Sequence, residues 1–540
     1  MKTKYDYIIV GGGSAGCVLA NRLSENPDTE VLLLEAGKPD RHPLIHIPVG
    51  WTQISFEKRF NWGYKITADQ ALNGREIGWP RGKVLGGSSS INGMIYIRGH
   101  EDDYNGWQAQ GNPGWDWQSV LPYFKKAQHQ ERGASQYHGI NGPLNVSDAQ
   151  ASEASDTFIR SCVEAGIPEI ADFNDGPQEG CSYYQLTIKN GRRHSAATAY
   201  LKSIRQRKNL TVLTGAMTEK VLFDNDRASG VQVRLKGETQ IIDARREVIL
   251  AAGTINSPQL LQLSGIGDSN LLNKFGIKAL ADLPGVGQNL QDHLGVIAAS
   301  SVTKPVTLLA EMSPLKLVKN LYRYLRSGEG VLNFPASHVG AFMRSSFAKD
   351  QLEKGRPDMQ LYFTPVSGYR DEEGKSVVDK PAGVTAMIHI VRPESRGSVS
   401  IRSADPQDLP EINTNYLSAE YDRNVLVEAI KKMRAIFATK AFAPICGEEI
   451  RPGKEVQSDA EILDYIRANA TTGYHPVGTC KMGSDPMAVV DHECRVHRVK
   501  GLRVVDASVM PTIVAGNTNA PTIMIAEKVA DMIKRSAAKT

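Results

Sequence analysis

The chain opens on a strand-like apolar run, Tyr5-Asp6-Tyr7-Ile8-Ile9-Val10. Small residues follow, Gly11-Gly12-Gly13-Ser14-Ala15-Gly16, and then a helix-compatible run, Cys17-Val18-Leu19-Ala20-Asn21-Arg22-Leu23. A second strand-like run, Glu30-Val31-Leu32-Leu33-Leu34, ends on Glu35. Asn209–Thr214 and Glu247–Gly253 have the same character. Val221-Leu222-Phe223 and Gly230-Val231-Gln232-Val233 predict a meander that turns at Asp224-Asn225-Asp226. Near the end, Leu502-Arg503-Val504-Val505-Asp506-Ala507-Ser508 reads as a strand ending in an acid. Ile523, Ala526, Ala530 and Ile533 then recur at helical spacing behind Pro521, with Thr518 or Asn519 as cap. The chain thus returns to the strand-and-helix pattern of its start, so one α/β domain is expected to be built from both termini.

The middle is less regular. Prolines 43 and 48 and several aromatics predict an extended excursion before residue 80. Gly86-Gly87-Ser88-Ser89-Ser90 is by itself a turn, or a second close approach to a ligand. Aromatics from Trp107 to Phe124 read as packing, and residues 420–440 as a helix. Residues 300–390 carry little pattern. A basic amphipathic piece there, Lys316–Arg326, reads first as a solvated helix face and second as a membrane-surface helix.

The opening glycines fit G-x-G-x-x-G at Gly11, Gly13 and Gly16. In this motif the first glycine permits a tight turn, the second lets backbone approach a pyrophosphate, and the third packs helix on strand. Unpaired N–H groups and the dipole at the helix N-terminus favour the anion. Glu35 falls at the distance, about 20 residues on, where a ribose-binding acid is expected. Gly12-Gly13-Ser14-Ala15-Gly16 also matches G-x-S-x-G, the nucleophile elbow of serine hydrolases. An elbow usually follows several strands, whereas only one precedes this one, and the hydrolase reading leaves Glu35 unexplained.

With 540 residues the chain is too long for one simple domain. A net charge of +4 without a dense basic stripe gives no case for nucleic acid. The six cysteines are scattered without metal-ligand spacing, so free thiols and no metal are expected. The chain starts directly on its first strand, without an apolar leader or a run long enough to span a bilayer. A cytoplasmic protein is the expectation, with a peripheral place at the inner membrane left open.

The C-terminal third adds Tyr474-His475-Pro476-Val477-Gly478-Thr479 and Asn517-Thr518-Asn519-Ala520-Pro521-Thr522. These join the opening motif with Glu35 and the stretch Gly82-Lys83-Val84-Leu85-Gly86-Gly87-Ser88-Ser89-Ser90-Ile91-Asn92. They also join Gly253-Thr254-Ile255-Asn256-Ser257-Pro258 through Gly267. With these motifs in this order the chain resembles the glucose–methanol–choline oxidoreductases over nearly its whole length. Within them it looks most like the choline dehydrogenase-like and primary-alcohol dehydrogenase groups.

That resemblance implies a Rossmann-like FAD-binding domain built from both termini. It also implies a substrate-binding domain of antiparallel sheet and helices, giving an α/β and α+β fold. Residues 1–299 would be mostly FAD-binding, 300–390 a variable substrate-domain or lid segment, and 391–540 the part completing both domains. FAD would lie on Gly11, Gly13, Ser14, Ala15 and Gly16, with its adenosine at Glu35 and Ala36. Its other expected contacts are Trp62, Arg81, Val84, Gly86, Gly87, Ser88, Asn92, Gly93, Met94, Ile95 and Thr218. Ala252, Gly253, Asp506, Ala507, Asn517, Pro521 and Thr522 complete that set. Ile91 stands where some relatives link FAD to a histidine, so non-covalent FAD is implied. His475 would take the hydroxyl proton of an alcohol while hydride passes to flavin N5, and Asn519 would hold the same oxygen. Electrons would pass to a quinone-type acceptor. An oxidase releasing peroxide is the alternative; a photoenzyme or non-catalytic relative need not keep the histidine and asparagine.

Overall fold

The computed structural model describes residues 2–348, 356–370 and 376–538. The first run becomes the strand Lys4–Val10, which lies between Val31–Glu35 and the long strand Glu238–Leu250, parallel to both. Leu210–Thr214 adds parallel to Val31–Glu35, and Leu502–Val504 pairs parallel with the far end of Glu238–Leu250. Ile8, Ile9, Leu32, Leu33, Val248 and Ile249 are fully buried, which explains their unbroken apolar sequence. The long strand has two roles. Its first half pairs antiparallel with Arg227–Leu235, which in turn pairs with Ala216–Asp224 to complete the meander, and its second half joins the parallel sheet.

The helices Ser14–Leu23 and Asn519–Ala537 close the two ends of the chain onto each other. Arg22 binds Glu527 through two bonds of 2.8 and 2.7 Å, and the Tyr200 hydroxyl donates to the same carboxylate at 2.9 Å. Glu527 is fully buried, so this two-pronged pairing is what makes its charge tolerable.

The second sheet is antiparallel, in the order Cys446–Arg451, Leu294–Val302, Gly383–Ile390, Met359–Thr364, Val339–Met343, Gly180–Tyr183. Helices Glu153–Glu164, Glu420–Phe437 and Asp459–Asn469 cover it, with Val425, Ile430, Met433, Ile462 and Phe158 in a shared core. The expected boundary at residue 300 falls inside the strand Leu294–Val302. The 300–390 segment, expected as a substrate-domain or lid segment, supplies central strands of this sheet. Those strands, Val339–Met343, Met359–Thr364 and Gly383–Ile390, are almost wholly buried, so they lack the alternation that marks a half-buried strand.

Candidate active site

A cavity of about 1170 Å³ lies between the two sheets, lined from Glu35 and Thr218 at one end to His475 and Asn517, and out to Leu309 and Tyr369. At the first end the backbone does most of the work. Gly11 has φ +103°, and a Cβ there would stand 2.4 Å from the Ala251 carbonyl oxygen. Gly87 has φ +54°, and its Cβ would stand 2.7 Å from Gly13 Cα. The Gly86 amide donates to the Gly12 carbonyl at 2.7 Å, so the two small-residue loops form one cradle. Both Glu35 carboxylate oxygens are held by backbone, from Gly12 at 2.9 Å and Gly37 at 2.7 Å. Burial pushes Glu35 up to about 7, opposed by those amides and the Lys83 charge. Thr218 Oγ1 is buried without a hydrogen-bond partner. A side-chain-free cradle at a helix N-terminus, a carboxylate able to accept ribose hydroxyls and an orphaned hydroxyl fit the adenosine diphosphate part of FAD.

Most of the expected cofactor residues line this cavity: Gly11, Gly13, Ser14, Ala15, Glu35, Ala36, Trp62, Arg81, Gly87, Ser88, Asn92, Gly93, Met94, Ile95, Thr218, Ala252, Gly253, Asp506, Ala507, Asn517 and Thr522. Gly16, Val84, Gly86 and Pro521 are not among its lining. A Cβ on Gly16 would meet the Gly11 carbonyl oxygen at 1.8 Å, so this glycine serves helix–strand packing. Val84 packs in a small core with Ile45 and Ile91. Gly86 takes the positive φ of a turn, and Pro521 is buried in the first turn of its helix. Asp506 accepts from Gly253 N at 2.8 Å, Ser257 Oγ at 2.6 Å and Ser508 N at 2.8 Å, which ties the last strand to the helix Gly253–Leu263.

At the other end side chains make the site. The segment Gln291-Asp292-His293 runs antiparallel to 473–477: Gly473 N donates to the His293 carbonyl at 2.6 Å, and Val477 N to the Gln291 carbonyl at 2.9 Å. The His475 amide donates to Asp292 Oδ1 at 2.7 Å. Tyr416 and Thr472 donate to the other oxygen of Asp292. Burial pushes the Asp292 carboxyl up, and these donors and the Arg81 charge pull it back. Tyr474 sits at φ +63°, and Pro476 restricts the backbone of His475. The loop is therefore pinned on both sides of the imidazole.

The ring itself is held at both nitrogens. Nδ1 lies 3.1 Å from Nδ1 of His293, and Nε2 lies 3.0 Å from Nδ2 of Asn517. Asn517 Oδ1 faces two donors, Gln360 Nε2 at 3.3 Å and Tyr362 OH at 3.4 Å, which directs its NH₂ group to the imidazole. His475 Nε2 is then an acceptor, so the neutral ring carries its proton on Nδ1 and donates it to His293. Burial, followed by the nearby His293, His389 and Arg81, drives the His475 pKa well below the ordinary range. His475 is thus a neutral imidazole that presents a lone pair at the cavity.

The expected partner of this ring, Asn519, is elsewhere. Its Oδ1 accepts from Ser14 Oγ at 2.8 Å and joins the N-termini of two helices at the cofactor end. Asn517, two residues earlier and expected only as a cofactor contact, takes the place beside His475. A helix begins at Asn519, so its side chain turns with that helix, whereas Asn517 precedes it in the loop after Gly516, at φ +126°. Asp292 and His293 were not foreseen; an acid–histidine pair between Leu290 and Leu294 has no spacing that marks it. Ser14, the nucleophile of the hydrolase reading, bonds Asn519 and no histidine among the described residues.

A nucleotide cradle and a lone-pair-bearing imidazole that share one cavity are what an FAD-dependent oxidoreductase requires. The family model for GMC oxidoreductase matches residues 5–295, with a second match at 393–526. The chain belongs to the GMC oxidoreductases. It is 45% identical to an alcohol dehydrogenase [acceptor] of Pseudomonas putida, over 98% of this chain and 96% of that one. It is also 45% identical to the mitochondrial choline dehydrogenase of Homo sapiens, over 99% and 90%. Among solved structures it is similar to pyridoxine 4-oxidase of Mesorbium loti, at 33% identity and TM-score 0.89, over 98% of this chain and 99% of that one.

Proposed function

We propose that the protein oxidises an uncharged aliphatic primary alcohol to the aldehyde, with non-covalent FAD, and hands the electrons to a quinone-type acceptor. The observation that carries the reading is the neutral His475, whose Nε2 faces Asn517 in the cavity. The bound flavin supplies the hydride acceptor, N5. His475 takes the hydroxyl proton on Nε2 as the hydride leaves, the alcohol hydroxyl replacing the Asn517 amide as donor to that nitrogen. The second amide hydrogen of Asn517 is available to the same oxygen. The N-terminus of the helix Asn519–Ala537 reaches the cavity through Asn519 and Thr522, and favours negative charge on the part of the cofactor against it. Ile91 lines the cavity and has no nucleophilic atom, which supports a non-covalent cofactor.

The wall beyond His475 supports the substrate class. Ile297, Leu309, Tyr362, Val366 and Met387 line it, and the carboxylates that line the cavity, Glu35 and Asp506, lie at the cofactor end. Among the described residues no carboxylate lines the substrate side to pair with a quaternary ammonium, so the faces of Tyr362, Tyr369 and Tyr465 would have to hold one unaided. The acceptor reading draws on the Pseudomonas relative, whose name specifies an acceptor. The test is a panel of primary alcohols of rising chain length with choline alongside, assayed with a dye acceptor and in parallel for peroxide. Faster turnover of the longer uncharged alcohols with dye supports the proposal. Peroxide formed at the dye rate would make the protein an oxidase, and choline as the best substrate would overturn the substrate class.

A further inference from the structure

One helix carries its apolar side outward. Pro314–Ser327 has Leu317, Val318, Leu321, Tyr322 and Leu325 along one side, and all five are exposed, Val318 by 70% and Leu325 by 75%. A surface helix ordinarily turns that side to the core. Here the inward contact falls to Asn320, 8% exposed, whose amide donates to the Glu311 carbonyl at 3.1 Å. Lys316, Lys319, Arg323 and Arg326 lie on the adjoining side, exposed. Glu311 and Glu329 pair with Lys316 and Arg323, whereas Lys319 and Arg326 have no salt bridge among the described residues.

The helix stands at the mouth of the cavity. Leu308 and Leu309, just before it, line the cavity, and Met312 lines it while remaining exposed. The Leu308 amide donates to the Pro365 carbonyl at 2.9 Å, tying this turn to the chain that leads to Tyr369, which with Val378 also lines the cavity and is exposed.

We propose that this helix is a membrane-docking face. Leu317, Val318, Leu321, Tyr322 and Leu325 enter the headgroup–acyl boundary of an anionic bilayer, and Lys319 and Arg326 meet lipid phosphates. An apolar stripe beside a basic one, with no helix among the described residues able to cross a membrane, is the arrangement of an interfacial helix. Interfaces between proteins are depleted in lysine, which favours lipid over a protein partner. The cavity mouth then opens toward the bilayer, where apolar solutes concentrate. This inference stands on the helix alone and does not need the catalytic reading.

The test is flotation of the FAD-loaded protein with phosphatidylcholine vesicles, with and without phosphatidylglycerol. The protein is expected to float with the anionic vesicles, less so at high salt. Leu321→Asp with Leu325→Asp should cut that binding by roughly tenfold or more, since each leucine loses its transfer into the boundary. Lys319→Glu with Arg326→Glu should abolish the preference for anionic lipid. Melting temperature and dye-coupled turnover in detergent-free buffer are expected to stay at the parent values, which separates docking from folding. Failure of the parent protein to float with either vesicle, or equal binding by the double aspartate variant, would overturn the proposal. A parent dimer made monomeric by that variant, without vesicle binding, would show a second copy to be the occupant and overturn it equally.

Discussion

The two ends of the cavity are built on different principles. At the cofactor end the working groups are backbone: amides of Gly12 and Gly37 on Glu35, and glycines at 11, 13 and 87 where a Cβ would collide with or fill the cradle. At the substrate end they are side chains drawn from four separate segments, around Asp292, Gln360, His475 and Asn517. A backbone site needs particular residues at fixed local spacing. A side-chain network needs only that distant residues meet after folding. The two asparagines of Asn517-Thr518-Asn519 show the division most directly, because one serves each end.

The largest effect that should separate the ends is removal of the base. His475→Ala is expected to keep FAD, because no contact of the cradle depends on it. Flavin reduction by alcohol should slow by about 10²–10⁴-fold, the usual contribution of a general base. Loss of FAD from this variant would mean that the two ends are coupled.

Next is the group behind the base. His293→Phe leaves a ring in place but removes the acceptor for His475 Nδ1. Roughly a 10–100-fold loss is expected, by analogy with the outer-shell partners that orient metal-bound histidines. A filler role alone would leave the pH profile unchanged. The tautomer role predicts a shifted acid limb and partial rescue in His293→Gln, whose amide oxygen can accept the proton.

How legible the two ends are follows from the same contrast. Gly11, Gly13, Gly16 and Glu35 announce the cradle because the turn, the close approach and the ribose acid lie within one strand–helix–strand unit. His475 is legible through the proline after it and its family motif, but its neighbour at Nδ1 is 182 residues away. Asn519, at the helix start, is the partner that the sequence motif offers, yet the helix turns it toward Ser14. The Arg22–Glu527 pair that locks the termini together was equally hidden, since its partners read as surface charges on two separate helices.

A smaller effect tests the burial of four histidines, two of which, His293 and His389, belong to the substrate end. Burial holds His293 and His389 down to about 3, and His194 and His338 down to about 4. The unfolded chain titrates these near 6.5, so below that pH it binds protons that the folded chain refuses. Their contribution to stability is therefore complete above pH ~6.5 and declines as pH falls toward the folded values, by up to about 1.4 kcal/mol per pH unit for each group. The melting temperature of the FAD-loaded protein should fall steadily from pH ~6.5 to ~4. A flat profile over that range would mean that these rings are accessible to protons in the folded state.

The most direct test of the division of labour is anaerobic stopped-flow reduction of the bound flavin in Asn517→Ala and Asn519→Ala, at matched FAD occupancy and saturating alcohol. A lost hydrogen bond to a developing charge costs about 1.5–3 kcal/mol, so Asn517→Ala should reduce its flavin roughly 10–100-fold more slowly than the parent. Asn519→Ala should reduce at close to the parent rate and show its defect as weaker FAD retention. A parent-like rate in Asn517→Ala with a slow Asn519→Ala would contradict the account, and place the oxygen-binding asparagine at the helix start.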